Sequence, residues 1–198
     1  MKDSEITIIS VGPGAHDLIT LRGHKAIEDQ EMIIGMKDAV ETFAKHKEHY
    51  IPANMKTDCV NFIKDCPKSR IGVLVSGDAG FFSLARFVTA AFKNVTIIPG
   101  VSSVCAGFAL LKKQWFGYRF MSVHGRELFD ECPEVSTVIL CDEVNNPSAI
   151  AAKFPQIEEK FNIFVLSDIS LPSEGVFAGI SDYKKTSRMI MVLEEKTA

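Results

Sequence analysis

The sequence predicts an α/β fold in two domains, and three observations carry the prediction. Runs of β-branched residues end repeatedly in glycine turns, as in "ITIISVGPG" and "VLVSGDAG". Segments of strand character alternate with segments of helical period, the pattern of βαβ units in a doubly wound sheet. After Trp115 the strand pattern restarts, behind the lysine-rich aromatic stretch Lys112–Phe116. A boundary placed there divides the chain into domains of residues 1–112 and 113–198.

The elements follow in order. "EITIISV" (Glu5–Val11) is apolar with little alternation, as a strand covered on both faces should be. Thr20 can cap a helix running to about Asp29, and "EMIIG" (Glu31–Gly35) reads as a short strand. Helical period returns in Lys37–His46 and Val60–Cys66. "RIGVLVSG" (Arg70–Gly77) is the clearest strand. A helix over Phe82–Phe92, a strand over Asn94–Gly100 and a small-residue helix over Ser102–Leu111 complete the first domain. In the second, strands are predicted at Tyr118–Gly125, Ser136–Asp142, Asn162–Asp168 and Arg188–Glu195. The helix Asn146–Phe154 has Asn146 as its cap and Pro147 at its first position.

Composition excludes several classes. With 46% apolar residues among 198, the chain can build a real core and is not a disordered segment. A formal net charge of −3 argues against a nucleic-acid binder that works by neutralising phosphate. The five cysteines, Cys59, Cys66, Cys105, Cys132 and Cys141, form neither a CxxC nor a zinc spacing, so no metal is expected. Such a set suits a reduced cytoplasmic protein. The start "MKDSE" is not a signal peptide, and no apolar run has the length of a membrane span.

The turn Gly12-Pro13-Gly14 raises the first functional question. A dinucleotide fingerprint needs a third glycine where Asp17 stands, and Pro13 removes an amide that a pyrophosphate would use. A phosphate loop is excluded because no Gly-Lys-Ser/Thr follows. A tight turn without a ligand stays open. The second glycine turn, Gly77-Asp78-Ala79-Gly80, and a third at Pro99-Gly100 end other strands of the same domain. Turns at the carboxyl ends of parallel strands share the edge at which open α/β sheets bind ligands.

"VGPGAHDLITLRGHKAI", "SGDAGFFSLA", "IPGVSSV" and "VHGRE", in this order, resemble the tetrapyrrole (corrin/porphyrin) methylase family. The resemblance is strongest over residues 6–35 and 71–127. "SGDAGFF", "PGVSS" and "HGR" look most like the precorrin-6Y (cobalt-precorrin-7) C5-methyltransferases of cobalamin biosynthesis, in their free-standing form. It implies two α/β domains, the first with a mostly parallel sheet and the second with a mixed one, and a ligand cleft between them. It implies S-adenosylmethionine as methyl donor, S-adenosylhomocysteine as product and a tetrapyrrole acceptor. It also implies a homodimer, acting beside a separate C15-methylating decarboxylase. A uroporphyrinogen or diphthamide methylase of the same fold, and a silent S-adenosylmethionine-binding subunit, are the alternatives.

The resemblance sets Pro13, Ser76, Gly77, Asp78 and Phe81 against the donor, with Asp78 facing its positive charge. The other reading of Asp78 is a turn residue bonded to its own backbone. Ser102 and Ser103 would bind the donor's carboxylate from a helix N-terminus, or simply cap that helix. Cys141, Asp142, Gly179 and Ile180 would lie against the adenine, or be ordinary strand ends. The many carboxylates of the acceptor call for cations, for which Arg22, Arg126, Lys112, Lys113 and Arg119 are candidates, with a solvated surface as the plain alternative for the lysines. His124 is the candidate general base, or a satisfied strand-end histidine. Two departures stand out: Ala79 replaces the family's usual proline, predicting a looser turn, and "AHD" follows Gly14 in place of an acidic residue.

Overall fold

The computed structural model describes residues 4–196. They divide between Ser103 and Val104 into two compact units. In the first, β1 (Glu5–Ser10), β2 (Met32–Ile34), β3 (His49–Tyr50), β4 (Arg70–Val75) and β5 (Val95–Ile98) alternate with α1 (Leu21–Glu28), α2 (Lys37–Phe43), α3 (Thr57–Asp65) and α4 (Ala85–Ala91). The sheet order is β3-β2-β4-β1-β5, with all neighbours parallel. Successive strand residues serve opposite faces: Ile6, Ile8 and Val73 join one core, and Ile9, Val11 and Leu74 the other. Both faces are therefore covered, which is why β1 reads as an unbroken apolar run. Thr20 caps α1 as its sequence predicts, its hydroxyl accepting from the Gly23 amide at 2.9 Å.

The second unit holds β6 (Arg119–Ser122), β7 (Thr137–Cys141), β8 (Phe161–Ser167), β9 (Gly175–Ala178) and β10 (Met189–Glu195), with helices α6 (Pro147–Lys153) and α7 (Ile157–Lys160). Its order is β6-β7-β10-β8-β9, and only β6–β7 is parallel, so the sheet is mixed. Asn146 caps α6 and Pro147 opens it. Helix α5 (Ser103–Leu111) begins at the division and packs with the second unit. A Cβ on Gly107 would come within 2.6 Å of the Leu166 side chain, and the Phe108 ring meets Tyr118 at 5.0 Å. The sequence boundary at residues 112 and 113 lies at the other end of this helix. The strands β3 and β9, the helix α7 and a 3-10 turn at His16–Leu18 have no counterpart in the sequence reading.

Candidate functional site

Strands β4, β1 and β5 are neighbours and parallel, so the three glycine turns that follow them meet at one sheet edge. They are bonded together there. The Gly77 amide donates to the Gly12 carbonyl at 2.7 Å, and the Gly12 amide returns to Gly77 at 3.3 Å. Both residues need the left-handed region, at φ +76° and +69°. A Cβ on Gly12 would also lie 2.7 Å from the Leu18 carbonyl oxygen. Pro13 is buried beside them.

Asp78 ties the second turn to the third. Its Oδ1 accepts from the Gly80 amide at 2.8 Å, the local turn bond, and its Oδ2 accepts from the Gly100 amide at 2.9 Å. A carboxylate offers about four acceptor positions, so each oxygen keeps room for a cationic partner. Ser10, fully buried at the end of β1, accepts the Ala79 amide at 2.9 Å. The looser turn predicted from Ala79 is thus absent: the residue is buried, and it uses the amide that a proline lacks. Sequence reasoning passed over Ser10, although a serine ending an isoleucine run was a visible signal. Ser10→Ala leaves the buried Ala79 amide without its acceptor, and is expected to lower unfolding free energy by about 1–3 kcal/mol, read by chemical denaturation.

The start of α5 faces the same turns. A Cβ built on Gly77 would sit 3.8 Å from both Ser102 Cα and Ser103 N, so any side chain there would fill the space beside the helix start. Ser102 is buried, Ser103 half-buried and Ser76 exposed. The Phe81 amide closes on the Asp78 carbonyl at 3.1 Å, and its ring meets Phe82 edge-on at 4.9 Å. Phe82 is exposed at φ +51°, a strained conformation of the kind that gathers at ligand sites.

A second cluster forms in the other unit, where β6 and β7 end side by side. The Gly125 amide donates to Asp142 Oδ2 at 2.7 Å, while the Asn145 and Val144 amides donate to Oδ1 at 2.7 and 2.9 Å. Partial burial works to raise the Asp142 pKa. The bonds from Gly125, Asn145 and Val144, with the charge of His124, outweigh it and hold the carboxyl below its ordinary value. His124 Nδ1 lies 3.3 Å from the Cys141 carbonyl, an acceptor only, so in the neutral ring Nδ1 carries the proton and Nε2 is left as an acceptor. The Cys141 thiol is buried in the core of the second unit, and burial pushes its pKa up to about 12. A ligand can reach only the main chain of this residue. Gly179 stands at φ +83° with its amide on the Ile163 carbonyl, and Ile180 packs on the core of the second unit.

The cations are dispersed. Arg126 is exposed in the His124 turn, with Nη1 donating to the Ser122 carbonyl at 3.0 Å. Arg119 is exposed on β6. Arg22 lines a groove of about 390 Å³ with Lys25 and Ile98 in the first unit. Lys112 stands at φ +55° at the end of α5, where its amide and that of Lys113 close on Ala109 and Phe108. That is a helix terminus in which glycine is usual. Lys113 is committed to Glu194, 2.7 Å away, beside the Tyr118 hydroxyl on the same carboxylate. Among the described residues no group of three or more metal-ligating side chains occurs, and no helix is long and apolar enough to cross a membrane.

The model of the Tetrapyrrole (Corrin/Porphyrin) Methylases matches residues 5–180. The chain belongs to this family. A probable cobalt-precorrin-7 C(5)-methyltransferase of Methanocaldococcus jannaschii is 29% identical over 129 residues, which span 62% of this chain and 61% of that one. A cobalt-precorrin-4 C(11)-methyltransferase of the same organism is 33% identical over 120 residues, 54% of this chain and 46% of its own. The matched region thus covers less than two thirds of each of these relatives. Among solved structures, the precorrin-6Y methylase of Archaeoglobus fulgidus superposes with a TM-score of 0.73 at 21% identity, covering 98% of this chain and 99% of its own. The uroporphyrin-III C-methyltransferase of Thermus thermophilus, complexed with S-adenosylhomocysteine, gives 0.74 at 16% identity, covering 95% and 97%. At such identities the structures establish the fold, two α/β units with one parallel and one mixed sheet.

Proposed function

We propose that the chain is an S-adenosylmethionine-dependent C-methyltransferase acting on C5 of a precorrin or cobalt-precorrin ring in cobalamin biosynthesis. The observation that carries it is the bonding of three glycine turns into one edge through Gly12, Gly77, Asp78 and Gly100. Glycine at position 77 answers to its φ of +69° and not to crowding, since a Cβ there would meet Ser102 and Ser103 only at 3.8 Å, and without a side chain the space beside the helix start stays open to the donor. It suits a ligand with hydroxyls and a zwitterionic tail, whose carboxylate can meet the start of α5.

When bound, the donor supplies a methyl group already activated on a sulfonium. Pro13, Ser76, Gly77 and Phe81 would line it, the Asp78 oxygens would face its positive charge, and Ser102 and Ser103 would take its carboxylate. Orientation and exclusion of water then do most of the work, because the leaving group needs no acid. Arg126 would pair with ring carboxylates, and His124 would accept the ring proton at Nε2 once the new carbon–carbon bond has formed. Units of residues 1–112 and 113–198 remain the functional halves of this proposal, with a homodimer as the assembly.

The test is transfer of label from methyl-labelled S-adenosylmethionine to a precorrin-6Y ring, with the product mapped by carbon NMR. Label at C5 is the expected result. A protein that binds S-adenosylhomocysteine yet labels no ring is a silent subunit, and one that labels uroporphyrinogen instead belongs to another branch of the family.

A further inference from the structure

We infer that Asp142 and Asn145 are positioning residues that hold the His124–Gly125–Arg126 turn in its acceptor-binding shape, and that Asp142 is not a ligand of the cofactor. The inference rests on the acceptor role proposed above for that turn.

The turn is exposed throughout, and its own closure is a single bond, from the Arg126 amide to the Val123 carbonyl at 3.1 Å, which leaves an exposed segment much of its freedom. Two side chains from the connection between β7 and α6 remove that freedom. Asp142 Oδ2 takes the Gly125 amide in the middle of the turn at 2.7 Å. Asn145 Nδ2 brackets it, donating to the Val123 carbonyl at 3.3 Å on one side and the Arg126 carbonyl at 2.6 Å on the other. Asp142 and Asn145 are themselves locked together: the Asn145 amide donates to Oδ1 at 2.7 Å, and the Asp142 amide returns to the Asn145 carbonyl at 3.2 Å.

The glycine has a backbone purpose here. Gly125 stands at φ +61°, yet a Cβ on it would meet nothing within 4 Å, so packing does not demand glycine and the left-handed turn does. The turn presents Arg126 outward and fixes the His124 tautomer through Cys141. Three main-chain donors also consume the Asp142 oxygens. A bare carboxylate beside a polyanionic ring would repel it. One that already accepts three amides repels it less and has about one acceptor position left, against about two on Asp78.

Steady-state kinetics of the full chain with the precorrin-6Y ring, and calorimetry with S-adenosylhomocysteine, test the assignment. Asp142→Asn turns an amide group towards the Gly125 N–H, and is expected to raise the acceptor KM about tenfold while kcat changes less than about threefold. The Kd for S-adenosylhomocysteine should stay within about twofold, and the Gly125 amide proton should move upfield in the ¹H–¹⁵N spectrum. Asn145→Ala, which keeps the Asp142 bonds, should raise KM about threefold and serves if the first variant does not fold. An unchanged KM, or a cofactor Kd weakened about tenfold with KM intact, overturns the inference. Should the wild type methylate no corrin, its binding of uroporphyrin III, read by fluorescence in the presence of S-adenosylhomocysteine, decides instead. Binding that Asp142→Asn weakens keeps the inference and removes the C5 reading. No binding by the wild type, or equal binding by both, overturns the inference.

Discussion

Asp78→Ala is expected to lower affinity for S-adenosylhomocysteine by at least about a hundredfold, close to 3 kcal/mol, in a chain that still folds. The size of the effect follows from what the carboxylate joins. Its two oxygens bond Gly80 in its own turn and Gly100 in the turn after β5. The Gly80 amide is exposed and water can replace the lost acceptor, whereas Gly100 is half-buried and packed against Ser10 and Gly77. Losing that bond costs folding stability about 1–3 kcal/mol and frees the third turn from the second. Asp78→Asn separates the tie from the charge. An amide oxygen can keep one of the two bonds, so stability should fall less, while a ligand cation loses the negative partner. Calorimetry that finds both variants binding like the wild type removes Asp78 from the site altogether. A loss confined to Asp78→Ala assigns it the tie alone.

These magnitudes rest on contacts that sequence distance hides, and the same division runs through the fold. Features set by neighbouring residues were legible. Thr20 and Asn146 cap their helices through side-chain bonds to amides three residues on, and β1 and β4 are apolar because both faces of the parallel sheet are covered. The glycine turns were legible too, since positive φ is a local demand. What escaped depended on remote partners. β3 has two residues, His49 and Tyr50, defined only by their register with Ile33 and Ile34. β9 carries an exposed, alternating "GVFA" that pairs along one side only, with β8. At the site, the motif residues were visible and their fasteners were not. Ser10 reaches Ala79 and Asn145 reaches Arg126 across the sheet, and neither pairing has a signature in spacing. Lys113 looked available to a ligand because its partner, Glu194, belongs to the last strand.

Gly100→Ala is expected to place a methyl group where this edge has no room for one. A Cβ there would lie 2.6 Å from the Ser10 Cβ, 2.9 Å from the Gly77 carbonyl oxygen and 3.1 Å from the Ser10 carbonyl oxygen. Two of the three neighbours are backbone, so rotamer changes cannot relieve the clash and the third turn must move outward. Movement breaks the Gly100–Asp78 bond and disturbs the Gly12–Gly77 pair, whose acceptor is one of the atoms struck. Overpacking and the lost bond together are expected to cost about 2–4 kcal/mol. For a chain of this size that lowers Tm by roughly 5–15 °C, and cofactor binding should be lost with it. Adding Ser10→Gly discriminates the cause. It removes one struck atom and forfeits the Ala79 bond, so a steric origin predicts that the double variant is more stable than the sum of the two single losses. Strict additivity would place the damage elsewhere. A Gly100→Ala chain that unfolds within about 0.5 kcal/mol of the wild type and binds S-adenosylhomocysteine normally would show that the three turns are not one unit.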